Sequence, residues 1–221
     1  YVGNDTLGAT VPHGLTQAPD FFVTKAINYD NRDWQVYHQA LGNQRPIRLN
    51  STSAAQSANT SYFNDTSPTA NVVTFGNGGD ANQGGETPLT YIMYAWHDVP
   101  GLQKFGSYTG NGASGWPNAD GPFIELGFRP ALVIFKNIDQ GENWHLLDTK
   151  RDPVNFANRK LLPNSAATET QNNNHEVDFL SNGFKLRNNN GELNENNDTY
   201  IYAAWAEAPL FNLYGAMSNA R

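Results

Sequence analysis

Five histidines, His13, His38, His97, His145 and His175, are the side chains of this sequence best suited to hold a metal ion or move a proton, and no two fall at a ligand spacing. The run His175-Glu176-Val177-Asp178 sets an imidazole beside two carboxylates, with His175 and Asp178 as its conceivable metal contacts. A solvated strand end accounts for it as well, so no metal site is assigned. Asp80, Asp120 and Asp139 stand near expected loops and are of the type that binds calcium. Dispersed single carboxylates do not specify an oxygen cage; calcium stays an option and no cofactor is assigned. Glu125, Glu169 and Glu176 are the candidates for a glycoside-hydrolase pair, whose members meet only in the fold. Nothing in their context marks them, and no phosphate-binding glycine loop, GxSxG, HExxH or EF-hand loop is present. The chain is expected not to be an enzyme, with no catalytic residue assigned.

Trp116 offers binding rather than catalysis. It lies in Asn111-Gly112-Ala113-Ser114-Gly115-Trp116-Pro117-Asn118-Ala119-Asp120, a polar stretch. An exposed indole can stack on a sugar ring while amides and a carboxylate bond the hydroxyls. Trp116, Asn111, Asn118 and Asp120 are therefore the candidate glycan contacts.

The elements that must position these residues come twice. Thr90-Tyr91-Ile92-Met93-Tyr94-Ala95-Trp96-His97-Asp98-Val99-Pro100 returns as Thr199-Tyr200-Ile201-Tyr202-Ala203-Ala204-Trp205-Ala206-Glu207-Ala208-Pro209, with six of eleven positions identical at an offset of 109. Tyr1-Val2-Gly3-Asn4 matches Tyr108-Thr109-Gly110-Asn111, Pro19 to Lys25 matches Pro130 to Lys136, and Asp33-Trp34 matches Asn143-Trp144. Two repeats follow, 1–107 and 108–221, the second carrying a C-terminal tail. Alternation in the closing strand puts Ile92, Tyr94 and Trp96 on one face and Tyr91, Met93 and Ala95 on the other. Strands are also expected at Asp20 to Ile27, Trp34 to His38, Ile47 to Leu49, Asn71 to Phe75, Phe123 to Leu126, Ala131 to Lys136, Trp144 to Leu147, Val177 to Leu180 and Gly183 to Arg187. Ser51 to Ser57 reads as a helical turn, Gly76 to Gly85 as a loop without core residues, and Val99 to Ser107 as a linker or loop. The recurring pairs Trp34 with Trp144 and Trp96 with Trp205 suit core packing.

Composition agrees with strands and tight turns. Asn contributes 29 residues and Gly 20, the types that accept left-handed turn conformations, while only 16% of residues are charged. A net charge of -7 without a basic cluster argues against nucleic acid, and no apolar run is long enough to insert in a membrane. Zero cysteines exclude disulfides and thiolate metal sites. Tyr1 sits inside a repeat element, so the chain is expected to be a fragment or processed product.

Gly127-Phe128-Arg129-Pro130-Ala131-Leu132-Val133-Ile134-Phe135-Lys136, with Trp144, Asp148-Thr149-Lys150-Arg151, Gly183-Phe184 and Tyr200 to Trp205, resembles a repeat of tail-fibre and other virion proteins of tailed bacteriophages. The resemblance implies a concanavalin A-like β-sandwich and a role in virion structure and host attachment. The first copy departs from it: Tyr37 to Ala40 lacks the Asp and Arg of Asp148 and Arg151, whose expected use is a structural ion pair. The fold class expected is all-β, two tandem antiparallel β-sandwich (concanavalin A-like or jelly-roll) repeats. The function expected is that of a tail-fibre or adhesin module on the exposed surface of the particle, binding a host-surface glycan. The alternatives are a purely structural decoration or fibre-shaft protein and a glycan depolymerase. Other virion subunits are the expected partners, and Leu210-Phe211-Asn212-Leu213-Tyr214 suggests packing in a homo-oligomer, a trimer as in fibres.

Overall fold

In the computed structural model, which describes residues 1–115, 119–171 and 174–209, most ordered segments are antiparallel strands. The chain divides into two units, Tyr1–His97 and Asp98–Arg221. The first contains β1 (Ala9–Pro12), β2 (Phe21–Ala26), β3 (Gln35–His38), β4 (Ile47–Arg48), the helical turn α1 (Thr60–Phe63), β5 (Val72–Phe75), the helical turn α2 (Gly79–Asn82) and β6 (Tyr91–Trp96). One sheet runs β4-β3-β2-β6 and the other pairs β1 with β5. Because β2 is an interior strand, apolar side chains are buried on both of its faces, from Phe21 to Val23. Phe22 of the larger sheet meets Phe75 of the smaller edge-on at 6.2 Å, and both belong to a core with Tyr37, Phe63, Val73 and Ala81.

Three local expectations change. The helical turn forms at Thr60–Phe63 rather than at Ser51 to Ser57. Asn59 caps it by accepting from the Ser61 N–H at 2.8 Å, and Phe63 anchors it in the core; Ser51 and Ser53 instead bond each other, and the stretch Ser51 to Ser57 contains no large apolar residue to bury. The segment Gly76 to Gly85 holds α2, which buries Ala81 and Asn82. Trp96 lies on the outward face with the exposed Ile92 and Tyr94 and is only partly buried, against Phe21 at 5.4 Å, while Met93 and Ala95 pack on the core.

The second unit contains β7 (Gln103–Thr109), β8 (Phe123–Glu125), β9 (Pro130–Asn137), β10 (His145–Asp148), β11 (Arg159–Lys160), β12 (Thr170–Gln171), β13 (Val177–Leu180), β14 (Gly183–Leu186) and β15 (Thr199–Ala206). One sheet runs β10-β9-β15-β7, a second β13-β14-β8, and β11 pairs with β12. Phe184 on β14 packs edge-on against Phe135, Tyr108 and Tyr202 of the four-stranded sheet at 5.3, 6.1 and 5.4 Å. Trp144 is buried as expected, whereas its counterpart Trp34 and the Trp96 counterpart Trp205 are only partly buried. Strand β7 occupies what reads in sequence as linker, and the 107/108 boundary falls within it. Its pattern is weakened by Gly106, which lies opposite Tyr202 in register and leaves room for its ring: a Cβ there would sit 2.6 Å from the Tyr202 hydroxyl.

The sequence repeat survives as strand register. Phe21 faces Trp96 and Phe22 faces Ala95; Leu132 faces Trp205 and Val133 faces Ala204. Tyr1 stacks on Tyr91 at 5.0 Å, as Tyr108 does on Tyr200 at 4.9 Å. Each Tyr-x-Gly-Asn motif has the same physical cause. A Cβ on Gly3 would lie 2.1 Å from the Gln83 carbonyl oxygen, and one on Gly110 2.1 Å from that of Glu195.

Candidate functional site

The side chains that converge most closely lie in the second unit, at the end of a turn shared by both. In the first unit α2 is held by Tyr91, whose hydroxyl donates to the Gly79 carbonyl at 2.6 Å and accepts from the Gln83 N–H at 2.9 Å. In the second, the Tyr200 hydroxyl donates to the Gly191 carbonyl and accepts from the Glu195 N–H, both at 2.8 Å. Asn82 and Asn194 lock the two turns alike, each accepting from the N–H of Asn4 or Asn111. This correspondence sets Glu192 where the first unit has Asp80. Upstream, the N–H of Trp34 is accepted by Asn50, which donates to Asp33; that of Trp144 is accepted by Asn164, which donates to Asn143. The next residue is Gln35 in one unit and His145 in the other.

Glu192 gathers a cluster that its counterpart lacks. Its Oε2 lies 2.9 Å from His145 Nε2, 2.5 Å from His175 Nε2 and 3.1 Å from Lys160 Nζ. Asn143 donates to the other carboxylate oxygen at 2.8 Å. The imidazoles stack with centroids 5.0 Å apart and planes 15° from parallel, and Lys160 Nζ is 3.1 Å from His175 Nε2. In the first unit, Asp80 is approached by Arg48 at 4.0 Å and accepts from the Asp33 N–H and the Tyr62 hydroxyl.

Both histidines are buried. Burial draws His145 down to about 4, against the opposing pull of Glu192. Burial alone would raise the Glu192 carboxyl, but its contacts with His145 and His175 and the bond from Asn143 hold it well below the usual carboxylate range. The two shifts compete, since a neutral His145 brings no charge to Glu192. An ionised Glu192 is the state the geometry favours, because Lys160 and Asn143 donate to it whichever form His145 takes.

The opening loop of the second unit is partly described. Asn111 is exposed, with its Nδ2 donating to the Asp120 carbonyl at 3.0 Å and its Oδ1 accepting from the Ala113 N–H at 3.0 Å. Asn4 makes the same turn by accepting from the Thr6 N–H. Asp120 is exposed and 2.5 Å from Lys185, whose hydrogen bond and charge hold its carboxyl below the ordinary value. Trp116 and Asn118 lie outside the described residues. Asn111 follows Asn4 by 107 positions, whereas Gly127, at φ +80°, follows Gly14, at φ +72°, by 113, so this loop and its strand are six residues longer in the second unit.

Other sequence candidates are scattered. Asp80, Asp120 and Asp139 bond to different partners: Asp139 accepts from the Thr199 N–H. Glu125 and Glu169 are exposed, the latter 3.8 Å from Arg151, while Glu176 is buried ahead of β13. Asp148 and Arg151 form the ion pair expected of them, at 2.6 Å, and Asp148 also accepts from the N–H groups of Lys150 and Arg151. Beside them, charged residues such as Lys150, Arg151 and Arg159 and the apolar Pro153, Val154 and Phe156 together line a cleft of about 660 Å³. Among the described residues, His145, His175 and Glu192 are the one group of three potential metal ligands brought together. The signal for them was positional: the aligned Asp33-Trp34 and Asn143-Trp144 make His145 a replacement for Gln35.

A family profile described as a domain of unknown function, DUF7483, matches residues 1–209. The chain belongs to this DUF7483 family. The match ends at Pro209, the last residue of the second copy of the repeated strand, so the DUF7483 domain takes in both units. No curated protein and no solved structure matches the chain.

Proposed function

We propose that this DUF7483 domain is a non-enzymatic module of a tailed-bacteriophage virion, of the tail-fibre or adhesin kind, that binds a host-surface glycan on the exterior of the particle. The observation that carries this reading is the opening loop of the second unit. Two copies of one scaffold share an Asn-based turn at Asn4 and Asn111, and the second then adds six residues in a stretch that includes Trp116. Length added to a loop on a rigid scaffold is where binding residues are gained without disturbing a core. The resemblance of the Gly127 to Lys136 stretch to virion repeats and the acidic, weakly charged composition are in keeping with it. Each unit is then a tandem antiparallel β-sandwich of the concanavalin A-like kind, a reading supported by aromatic contacts between two sheets within each unit. Leu210 to Tyr214 supplies an apolar strip for a homo-oligomer, a trimer in a fibre, alongside other virion subunits.

Glycan contact falls to Trp116 by stacking, with Asn118 and Asp120 bonding hydroxyls and Asn111 holding the loop's first turn. The test is Trp116→Ala on a glycan array with a parallel melting curve. Loss of about 1–3 kcal/mol of binding with an unchanged melting temperature is expected. Absence of binding by the unaltered chain to any host glycan points to a purely structural subunit, and release of reducing ends from host polysaccharide to a depolymerase.

A further inference from the structure

We propose that the second unit binds one divalent transition-metal ion of the zinc class through Nε2 of His145, Nε2 of His175 and a carboxylate oxygen of Glu192, and that this ion ties three chain segments together. The three ligands come from the start of β10, the residue two before β13, and the turn before β15. Their nitrogen and oxygen atoms all lie within 4.8 Å of one another. Zinc takes imidazole nitrogen and carboxylate oxygen at about 2.0–2.2 Å, which separates ligand atoms by roughly 3.3–3.5 Å in a tetrahedral shell. The contacts of 2.5 and 2.9 Å around Glu192 need to open by less than about an ångström to admit it.

Two independent observations point to a ligand. The first is the state of the rings. His145 is fully buried, and neither of its nitrogens has a hydrogen-bond partner of proper geometry among the described residues; its Nε2 is close to Glu192 but poorly angled. Nδ1 of His175 is in the same position. Leaving such groups unbonded is costly, and a metal bond gives His145 Nε2 the partner it lacks. The second is the internal comparison. Around the same Trp–Asn and turn frames, the first unit has Gln35 for His145 and Asp80 for Glu192, with Arg48 as the nearby cation. The scaffold therefore folds without a histidine at this place, so the imidazole of His145 is additional to what the frame requires. Imidazole with carboxylate suits zinc and its neighbours rather than calcium or magnesium, which take oxygen.

Lys160 is the competitor. Its ammonium stands 3.1 Å from both Glu192 Oε2 and His175 Nε2, where it already supplies positive charge, and an arriving ion must displace it. The three side chains leave the fourth position of a tetrahedral shell to a water molecule, and burial of His145 and His175 at 0% and 2% exposure keeps bulk solvent from their side of the ion.

The experiment uses the full chain stripped with a chelator and titrated with Zn²⁺ alone by calorimetry, and with Co²⁺ by visible absorption. The expected result is one ion per chain, a tetrahedral-type Co²⁺ spectrum and a melting temperature raised by Zn²⁺. Lys160→Met is expected to bind Zn²⁺ about tenfold tighter, whereas His145→Gln, which installs the first unit's residue, keeps the metal-free melting temperature and loses the binding. No ion bound, or equal binding by His145→Gln and by His175→Asn, which would put the ion on other histidines, overturns the proposal. Should both variants fail to fold, the Co²⁺ spectrum and Zn²⁺ melting shift of the unaltered chain decide it: neither appearing refutes the site.

Discussion

Lys136 shows how one buried charge sets a pH dependence. It lies on β9 at 0% exposure, and its ammonium donates to the carbonyls of Asn137 at 2.7 Å and Gln140 at 3.4 Å. Burial lowers it to about 8, with Glu142 pulling the other way. Between about pH 8 and the ordinary lysine value near 10.5, the unfolded chain holds a proton that the folded chain lacks, so this residue's contribution to stability rises with pH across that window. Below pH 8 the penalty of a buried ammonium is fully present. Lys136→Met is therefore expected to stabilise the protein at pH 7 by up to about 3 kcal/mol, with the gain shrinking toward pH 10. Urea denaturation of both proteins at the two pH values checks this; a pH-independent difference contradicts it. The same burial on both faces of β9 that made Lys136 look like part of an apolar strand in the sequence hid its protonation chemistry, which depends on neighbours from Asn137 to Glu142.

Among the elements, the turn at 190–194 and its counterpart α2 each bond the opening segment of their unit and a tyrosine of its closing strand. Asn194 is fully buried; its Nδ2 donates to the Asn188 carbonyl at 2.6 Å, and its Oδ1 accepts from the Asn111 N–H at 2.9 Å. Asn194→Ala leaves these groups unbonded and should cost about 2–3 kcal/mol, with faster amide exchange at Asn111 as the local signature. Gly110→Ala acts on the same junction sterically, because its Cβ would meet the Glu195 carbonyl oxygen at 2.1 Å. It is expected to lower the melting temperature at least as far as Asn194→Ala; a neutral Gly110→Ala would mean that the backbone there yields. Asn194 did not stand out among the 29 asparagines of the sequence, since a buried locking amide and an exposed turn amide have the same side chain.

At the scale of the molecule, each unit encloses its own core: Phe22, Tyr37, Phe63, Val73, Phe75 and Ala81 in the first, and a larger set around Phe135, Phe179, Phe184 and Tyr200 in the second. Residues 1–97 and 98–209 produced separately are expected to fold, each with one cooperative urea transition. A non-cooperative profile from either piece would show that it depends on the other. The cut belongs at 97/98 because β7 pairs with β15 from Gln103 to Thr109 and would be divided by a cut at 107.

The duplication, the all-β character and most strands were legible in the sequence, because strand formation follows a period-two pattern and a repeat needs only comparison of the chain with itself. Val23, Val133 and Tyr91 could be placed on strands from their neighbours along the chain alone. Strand β7, whose pattern is broken by Gly106, became a strand only through its partner β15. So too with the histidines: His145 and His175 lie 30 positions apart, and Lys160 and Glu192 come from two further segments. No local spacing records their meeting. It is produced by the pairing of β10 with β9, the bridge of Leu146 to Leu161 beside Lys160, and the hold of Tyr200 on the turn bearing Glu192. Local pattern selects the elements, whereas contacts between distant segments select which side chains share one carboxylate oxygen.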